Sequence, residues 1–194
     1  MWCAIVCPNR KRNKPVKLLR TISLDASDGS VFEKPAEPGE WAVSGAFAFA
    51  HDDLAELKGK ARAAFRAGFL GLESLGRSTL AQIVEASGED RRSVVDLLAA
   101  QLVKRFGAPD LAMARMAAVE EIDFIASLCD YPPGVLIALT RSHENGAIRE
   151  EFRTLRPREG AAYTRAFQFL EVVDKDPAPN KHFELAMQAK GPRR

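Results

Sequence analysis

One carboxylate stands out among the residues of this chain that could do chemistry. Glu121 falls near the centre of an apolar helical stripe made by Met113, Ala117, Ala118, Ile122, Phe124, Ile125, Leu128 and Cys129. On a wheel of about 100° per residue it projects between Ile125 and Leu128. Moving an unpaired carboxylate out of water costs roughly several kcal/mol, so a buried acid must be neutral, paired or functional. If Glu89 to Phe106 and Pro109 to Asp130 are antiparallel helices, Arg91 lies within a turn of Glu121. A structural Glu121–Arg91 pair is therefore expected. The alternative is a pocket acid with a raised pKa, working with an arginine such as Arg91 or Arg77.

Other constellations carry less chemistry. Lys58, Arg62 and Arg66 are spaced by four, so on one helix they make a basic ridge. Like charges at that spacing cost a few tenths of a kcal/mol each, roughly, unless an anion or an acidic partner meets them. The ridge reads as a solvated face, with partner docking or anion binding as the second reading. His51-Asp52-Asp53 could offer metal ligands, but adjacent side chains rarely converge on one ion and both acids suit a helix start. Cys3 and Cys7 have the spacing of half a zinc site, and no second pair of ligands lies nearby. Gly68-Phe69-Leu70-Gly71 and Gly76-Arg77-Ser78 lack the spacing of a dinucleotide fingerprint, and a strand follows where a phosphate-binding helix should begin. Ser78 has no base near it in sequence. No catalytic residue, metal or cofactor is assigned.

The composition narrows the class further. Against 26 acidic residues stand 28 basic ones, four of them (Arg10, Lys11, Arg12 and Lys14) within the first fifteen positions. The remaining 24 against 26 give −2, a body too near neutrality for a dedicated nucleic-acid binder. With 194 residues the chain can bury a core without disulfides or metal. Three cysteines, with Cys129 alone on an apolar helical face, suit a reducing cytoplasm. No apolar run of about 20 residues is present, so no membrane span is expected.

The elements that must position these residues follow from periodicity and punctuation. A first strand spans about Lys17 to Leu24, with Leu18, Ile22 and Leu24 on one face. A turn-rich passage leads to a second strand over Trp41 to Ala50, whose alternation sets Trp41, Val43, Phe47 and Phe49 against Ala42, Ser44, Ala46 and Ala48. Asp53 and Glu56 predict a cap for a helix from Leu54 to about Gly68. Arg77 to Ala86 reads as a third strand. Ser87-Gly88-Glu89-Asp90 opens a helix whose Val94, Val95, Leu98, Leu102 and Phe106 point inward, and Gly107 and Pro109-Asp110 separate it from the Glu121 helix. Val135 to Ser142 and Ala147 to Leu155 make a hairpin about Asn145-Gly146. A two-residue loop there sets Leu139 opposite Phe152 and Arg141 opposite Glu150, the second as a cross-strand ion pair. Ala166 to Val173 supplies a further strand.

The predicted fold is α+β: a mostly antiparallel sheet of about 5–6 strands with about three helices on one face, in the order β-β-α-β-α-α-β-β(-β). Residues 1–15 read as a disordered basic arm, 16–173 as a single domain and 174–194 as a polar flexible tail. The abrupt start of strand pattern at Val16 raises the expectation that translation begins there, which intact mass of the native protein would check.

Glu40 to Phe49 (EWAVSGAFAF), Gly59 to Glu73 (GKARAAFRAGFLGLE), Arg105 to Leu111 (RFGAPDL) and Leu136 to Arg158 (LIALTRSHENGAIREEFRTLRPR) resemble a family of small bacterial proteins known only as a domain of unknown function. The resemblance spans roughly Lys17 to Glu159 and implies one domain; it brings no activity and no site residues. The expected role is a non-catalytic, cytoplasmic accessory or protein-interaction module, docking an unidentified protein through a sheet edge or the Lys58-Arg62-Arg66 ridge. Its rival is a small-ligand or anion-binding domain, or an enzyme, using Glu121 with an arginine. A closed helix–sheet interface around Glu121 would favour the first, and a concave pocket the second.

Overall fold

The computed structural model describes residues 16–23, 27–157, 170–172 and 181–184. The expected basic arm, with Cys3 and Cys7, and much of the expected tail lie outside these residues. Among these residues are nine strands, β1 (Val16–Ile22), β2 (Trp41–Val43), β3 (Phe69–Gly71), β4 (Arg77–Ser78), β5 (Leu80–Ala86), β6 (Leu136–Glu144), β7 (Ala147–Pro157), β8 (Leu170–Val172) and β9 (Lys181–Glu184). Four helices accompany them: α1 (Ser27–Val31), α2 (Gly59–Ala67), α3 (Gly88–Arg105) and α4 (Leu111–Leu128). The sheet runs β4-β3-β2-β1-β5-β6-β7-β8, with β9 also paired to β7, and every strand pair is antiparallel. The α+β class is as expected, with more strands and one more helix. One addition, β9, falls inside the segment read as a tail.

Register identifies the face that meets the helices. Leu19 pairs with Ile83, Thr21 with Ala81, Ala81 with Ile137, Ile137 with Thr154 and Leu139 with Phe152. Directly opposed residues point to the same side, and all of these are buried. Phe124 of α4 meets Phe152 edge-on at 5.6 Å, so α4 covers this row. On β1 the helix-facing residues are therefore Leu19 and Thr21, not the Leu18 and Ile22 of the predicted face. Leu18 is nonetheless buried on the opposite side with Val43 and Leu70.

The helix pair follows its punctuation. Ser87 and Asp90 close a capping box at the start of α3: the Asp90 N–H donates to Ser87 Oγ at 3.0 Å and the Ser87 N–H to Asp90 Oδ2 at 2.8 Å. Asp110 caps α4 by accepting from the Met113 N–H at 2.8 Å. Val94, Val95, Leu98, Ala99 and Leu102 of α3 and Ala114, Ala118, Ile122, Ile125 and Leu128 of α4 are buried in one cluster.

Three local expectations fail for identifiable reasons. The strand predicted over Trp41 to Ala50 stops at Val43, because Gly45 adopts φ 75 and turns the chain into a 3-10 turn over Ala46–Phe49. That turn sends Phe47 to Phe106 and Phe49 to Phe65, at ring separations of 5.1 and 5.3 Å. The helix predicted from Leu54 begins only at Gly59, and Asp53 instead closes a turn by accepting from the Ala55 N–H at 3.1 Å. The passage broken by Gly68, Gly71 and Gly76 contains β3, because Gly71 marks close packing: a Cβ there would lie 2.5 Å from Glu40 Oε2.

That same Glu40 links β2 to the turn after β3. Its carboxylate accepts from the backbone N–H of Glu37 at 2.8 Å, Glu73 at 3.1 Å and Ser74 at 2.8 Å. Burial alone would raise its pKa, but these bonds, with the Ser74 hydroxyl, outweigh it and hold the carboxyl below its usual 4.5. A lowered native pKa adds stability that is fully present above the unfolded value and is lost as pH falls through the native one. Urea unfolding at about pH 7 and about pH 3 should therefore show a larger acid loss in the parent chain than in Glu40→Gln. Equal losses would remove this account of Glu40.

The β6–β7 hairpin has the predicted register, with Leu139 opposite Phe152 and Arg141 opposite Glu150. Asn145 and Gly146 turn at φ 53 and 80, the pattern of a two-residue type I′ loop. Gly146→Val should lower the urea midpoint clearly, because a β-branched residue resists positive φ. A Cβ at Gly146 meets nothing within 4 Å, so backbone strain alone is tested, and an unchanged midpoint would contradict it.

Candidate functional site

Glu121 occupies the sheet-facing side of α4 and is 6% exposed. The Ser44 hydroxyl donates to Glu121 Oε1 at 2.8 Å. Ser44 sits between the end of β2 and the Gly45 turn, so the break in the predicted strand presents this hydroxyl to α4. Its carbonyl, in turn, accepts from Arg141 Nη2.

Arg141 is the centre of the arrangement. Its side chain is fully buried, and so is that of Glu150, to whose Oε1 the Arg141 Nε donates at 2.6 Å. Nη1 donates to the Phe65 and Gly68 carbonyls at 2.9 and 3.0 Å. These carbonyls belong to the last turn of α2 and the residue that follows it, where a cation complements the helix dipole. One guanidinium thus ties together β6, β7, the end of α2 and the Ser44 turn. Burial pulls its pKa down from the ordinary range, while the charge and hydrogen bond of Glu150 and the charge of Glu121 oppose that shift.

Arg77, the other arginine considered as a partner for Glu121, stands on the opposite flank. Its guanidinium lies 4.6 Å from the Phe49 ring centre and donates to the Gly68 carbonyl at 3.4 Å. Burial and then the positive charge of Arg141 push its pKa down, against the pull of Asp52, to about 9, which leaves it charged at neutral pH. Arg141, Glu150 and Glu121 therefore share the interior where α2, α4 and the hairpin meet, with half-buried Arg77 beside the end of α2.

The expected Glu121–Arg91 pair does not form. Arg91 pairs with Asp123, while Arg115 pairs with Asp96 at 2.7 Å, so ion pairs bridge the outer side of the α3–α4 seam. Glu121 points past that seam toward the sheet. Arg141–Glu150 was foreseen as a pair but not as a buried one. Its signal is in the alternation: Arg141 shares a face with Ile137 and Leu139, and Glu150 with Ile148 and Phe152, all of them buried.

The basic ridge is also rearranged. Lys58 is the residue before α2, in extended conformation, and contacts Glu56 at 3.6 Å; only Arg62 and Arg66 remain one turn apart on the helix. These two line an open cleft of about 430 Å³ between α2 and β6, with Leu54, Leu57, Phe65 and His143 among its walls. A smaller hollow of about 140 Å³ lies between the end of α4 and the hairpin, beside Ser127, Tyr131, Phe152 and Thr154. Neither is lined by Glu121 or Arg77.

The remaining candidates are structural. Burial pushes the Cys129 thiol up to about 12, so it is a poor nucleophile. The buried Ser78 hydroxyl lies 2.9 and 2.7 Å from the Ile22 and Leu80 carbonyls. Among the described residues no group of three His, Cys, Asp or Glu side chains could hold a metal ion, and no helix is long and apolar enough to cross a membrane.

Sequence reasoning passed over one exposed feature. Leu111, Met113 and Met116 of α4 are 61, 53 and 61% exposed, and Val103, at the adjoining end of α3, is 41% exposed. Met113 and Ala117 were expected in the buried stripe and are exposed, while Ala114, which was not, joins the expected Ala118 on the inward side. The signal was the small size of those two inward alanines, which lets α4 lie close to its neighbours and leaves the methionines outside.

A family model described as a family of unknown function (DUF6505) matches residues 16–169. No curated protein and no solved structure matches the chain.

Proposed function

Because the chain belongs to the family of unknown function DUF6505, which brings no activity with it, we propose a role from its own residues: a non-catalytic accessory module that binds another protein. The observation that carries this reading is the exposure of Leu111, Met113 and Met116 in the first turns of α4 and of Val103 near the end of α3, all at one end of the helix pair. Several large apolar side chains left exposed at one end of a helix pair favour an interaction site there, and methionine is enriched at interfaces. Lys104 and Arg105 follow Val103 in the last turn of α3. The matching partner is an apolar helix or strand surface with an acidic border. The buried acids support the same reading from the other side. Glu121 and Glu150 are engaged with Ser44 and Arg141 and serve the interior, so a ligand site built on Glu121 with Arg91 or Arg77 has little to recommend it. A cytoplasmic location fits this role.

A photocrosslinking residue placed at Met113 in the native host tests the proposal. The expected result is one discrete adduct heavier than the 21.3 kDa chain, absent when the same residue is placed at exposed Glu151 and lost on Leu111→Asp. No adduct, or the same products from both positions, would reject it.

A further inference from the structure

We propose that the cleft between α2 and β6 binds a small organic anion, an oxyanion group such as a phosphate or carboxylate carried on an apolar body. Arg62 and Arg66 project from successive turns of α2 into this cleft, and both are exposed. Neither forms an ion pair with a described carboxylate. Acids beside the lining residues in sequence are engaged elsewhere: Asp53 accepts from the Ala55 N–H, Glu56 meets Lys58, and Glu144 accepts from Ser142 and Arg149. Two guanidiniums one turn apart repel each other, and an oxyanion between them converts that repulsion into charge-assisted hydrogen bonds. Exposed His143 brings a third nitrogen donor from the β6 wall.

The rest of the lining determines the ligand's other end. Leu54 and Leu57 are half-buried and Phe65 is buried beneath them, so an apolar body has a surface to cover beside the charged group. The stretch before α2, predicted as helix, instead folds over as turns and puts both leucines there. A volume of about 430 Å³ is within the usual range for small-molecule sites, roughly 300–1,000 Å³. Arg141, whose side chain is fully buried at the back of the cleft, is neutralised by Glu150 and leaves the cleft's charge to Arg62 and Arg66. This proposal is independent of the protein-binding face, since α4 contributes nothing to the cleft.

The test is a titration followed by amide NMR, using phenyl phosphate, benzoate, inorganic phosphate and phenol as probes up to roughly 10 mM, where millimolar affinities saturate. Phenyl phosphate and benzoate should give saturable shifts confined to residues 54–66 and 141–143. Inorganic phosphate and phenol should each bind about tenfold more weakly than phenyl phosphate, because each lacks one half of the ligand. Arg62→Gln/Arg66→Gln should weaken phenyl phosphate about tenfold or more at an unchanged unfolding midpoint, since both side chains are exposed. Shifts elsewhere, no shifts, or equal affinity in the double variant would overturn the site. Equal binding of inorganic phosphate would overturn the organic part of the assignment.

Discussion

Arg141→Met should lower the unfolding free energy by about 3–5 kcal/mol, because it leaves the fully buried Glu150 carboxylate without its cation. It also strips donors from the Phe65, Gly68 and Ser44 carbonyls, each of which then carries its own desolvation cost. Glu150→Leu alone should be damaging for the mirror-image reason, a buried guanidinium that has lost its principal counter-charge. The double variant Arg141→Met/Glu150→Leu should recover much of the sum, since a buried ion pair replaced by apolar residues of similar volume is often neutral or stabilising. Urea unfolding of the four proteins supplies the coupling energy. Additive losses would mean that the two side chains do not act as a pair.

Leu98→Ala should cost about 2–5 kcal/mol, the range for truncating a fully buried leucine whose surroundings collapse only partly. Leu98 is 0% exposed in the middle of α3 and belongs to the main core cluster with Val95, Ala99 and Ile122. Val103→Ala, five residues further along the same helix but 41% exposed, should stay within about ±0.5 kcal/mol. Both changes introduce alanine into α3 and differ in helix propensity by only a few tenths of a kcal/mol, roughly, far less than the loss expected at Leu98. A loss at Leu98 no larger than that at Val103 would mean that α3 does not pack as described.

The parts of this fold that sequence alone made legible are those settled by neighbours in the chain. Asn145-Gly146 specified both the hairpin and its register, since few residues accept positive φ in succession. Ser87, Asp90 and Asp110 marked the helix starts because capping partners lie within three residues of each other. The errors come from contacts across long separations. Alternation over Trp41 to Ala50 was as good a strand pattern as any in the chain, yet the Gly45 turn lets Ser44 meet Glu121, 77 residues away. Gly71 read as a breaker because nothing nearby shows that Glu40 must lie against its Cα.

The site was half legible for the same reason. A helical wheel placed Glu121 on the buried side of α4, and that is correct. The wheel fixes direction about the helix's own axis and is silent on whether that direction meets α3 or the sheet, so Arg91 was chosen in place of Ser44 and the charge of Arg141. Arg141 and Glu150 were matched by register, but their burial depends on α2 covering the hairpin, which no local pattern reports. The Lys58-Arg62-Arg66 ridge assumed a helix already formed at Lys58; Gly59 opens α2 instead.

In this proposal protein binding resides on the exposed apolar side chains at the start of α4, and Glu121 serves the interior. The most direct measurement is the yield of the Met113 photocrosslinked adduct in two otherwise folded variants, Glu121→Gln and Met116→Asp. Glu121→Gln keeps an acceptor for Ser44 and leaves the surface of α4 intact, so the adduct should form at the parental level. Met116→Asp puts a charge one turn from the probe on the docking face and should abolish it. Loss of the adduct in Glu121→Gln with retention in Met116→Asp would contradict the account and return Glu121 to the functional centre.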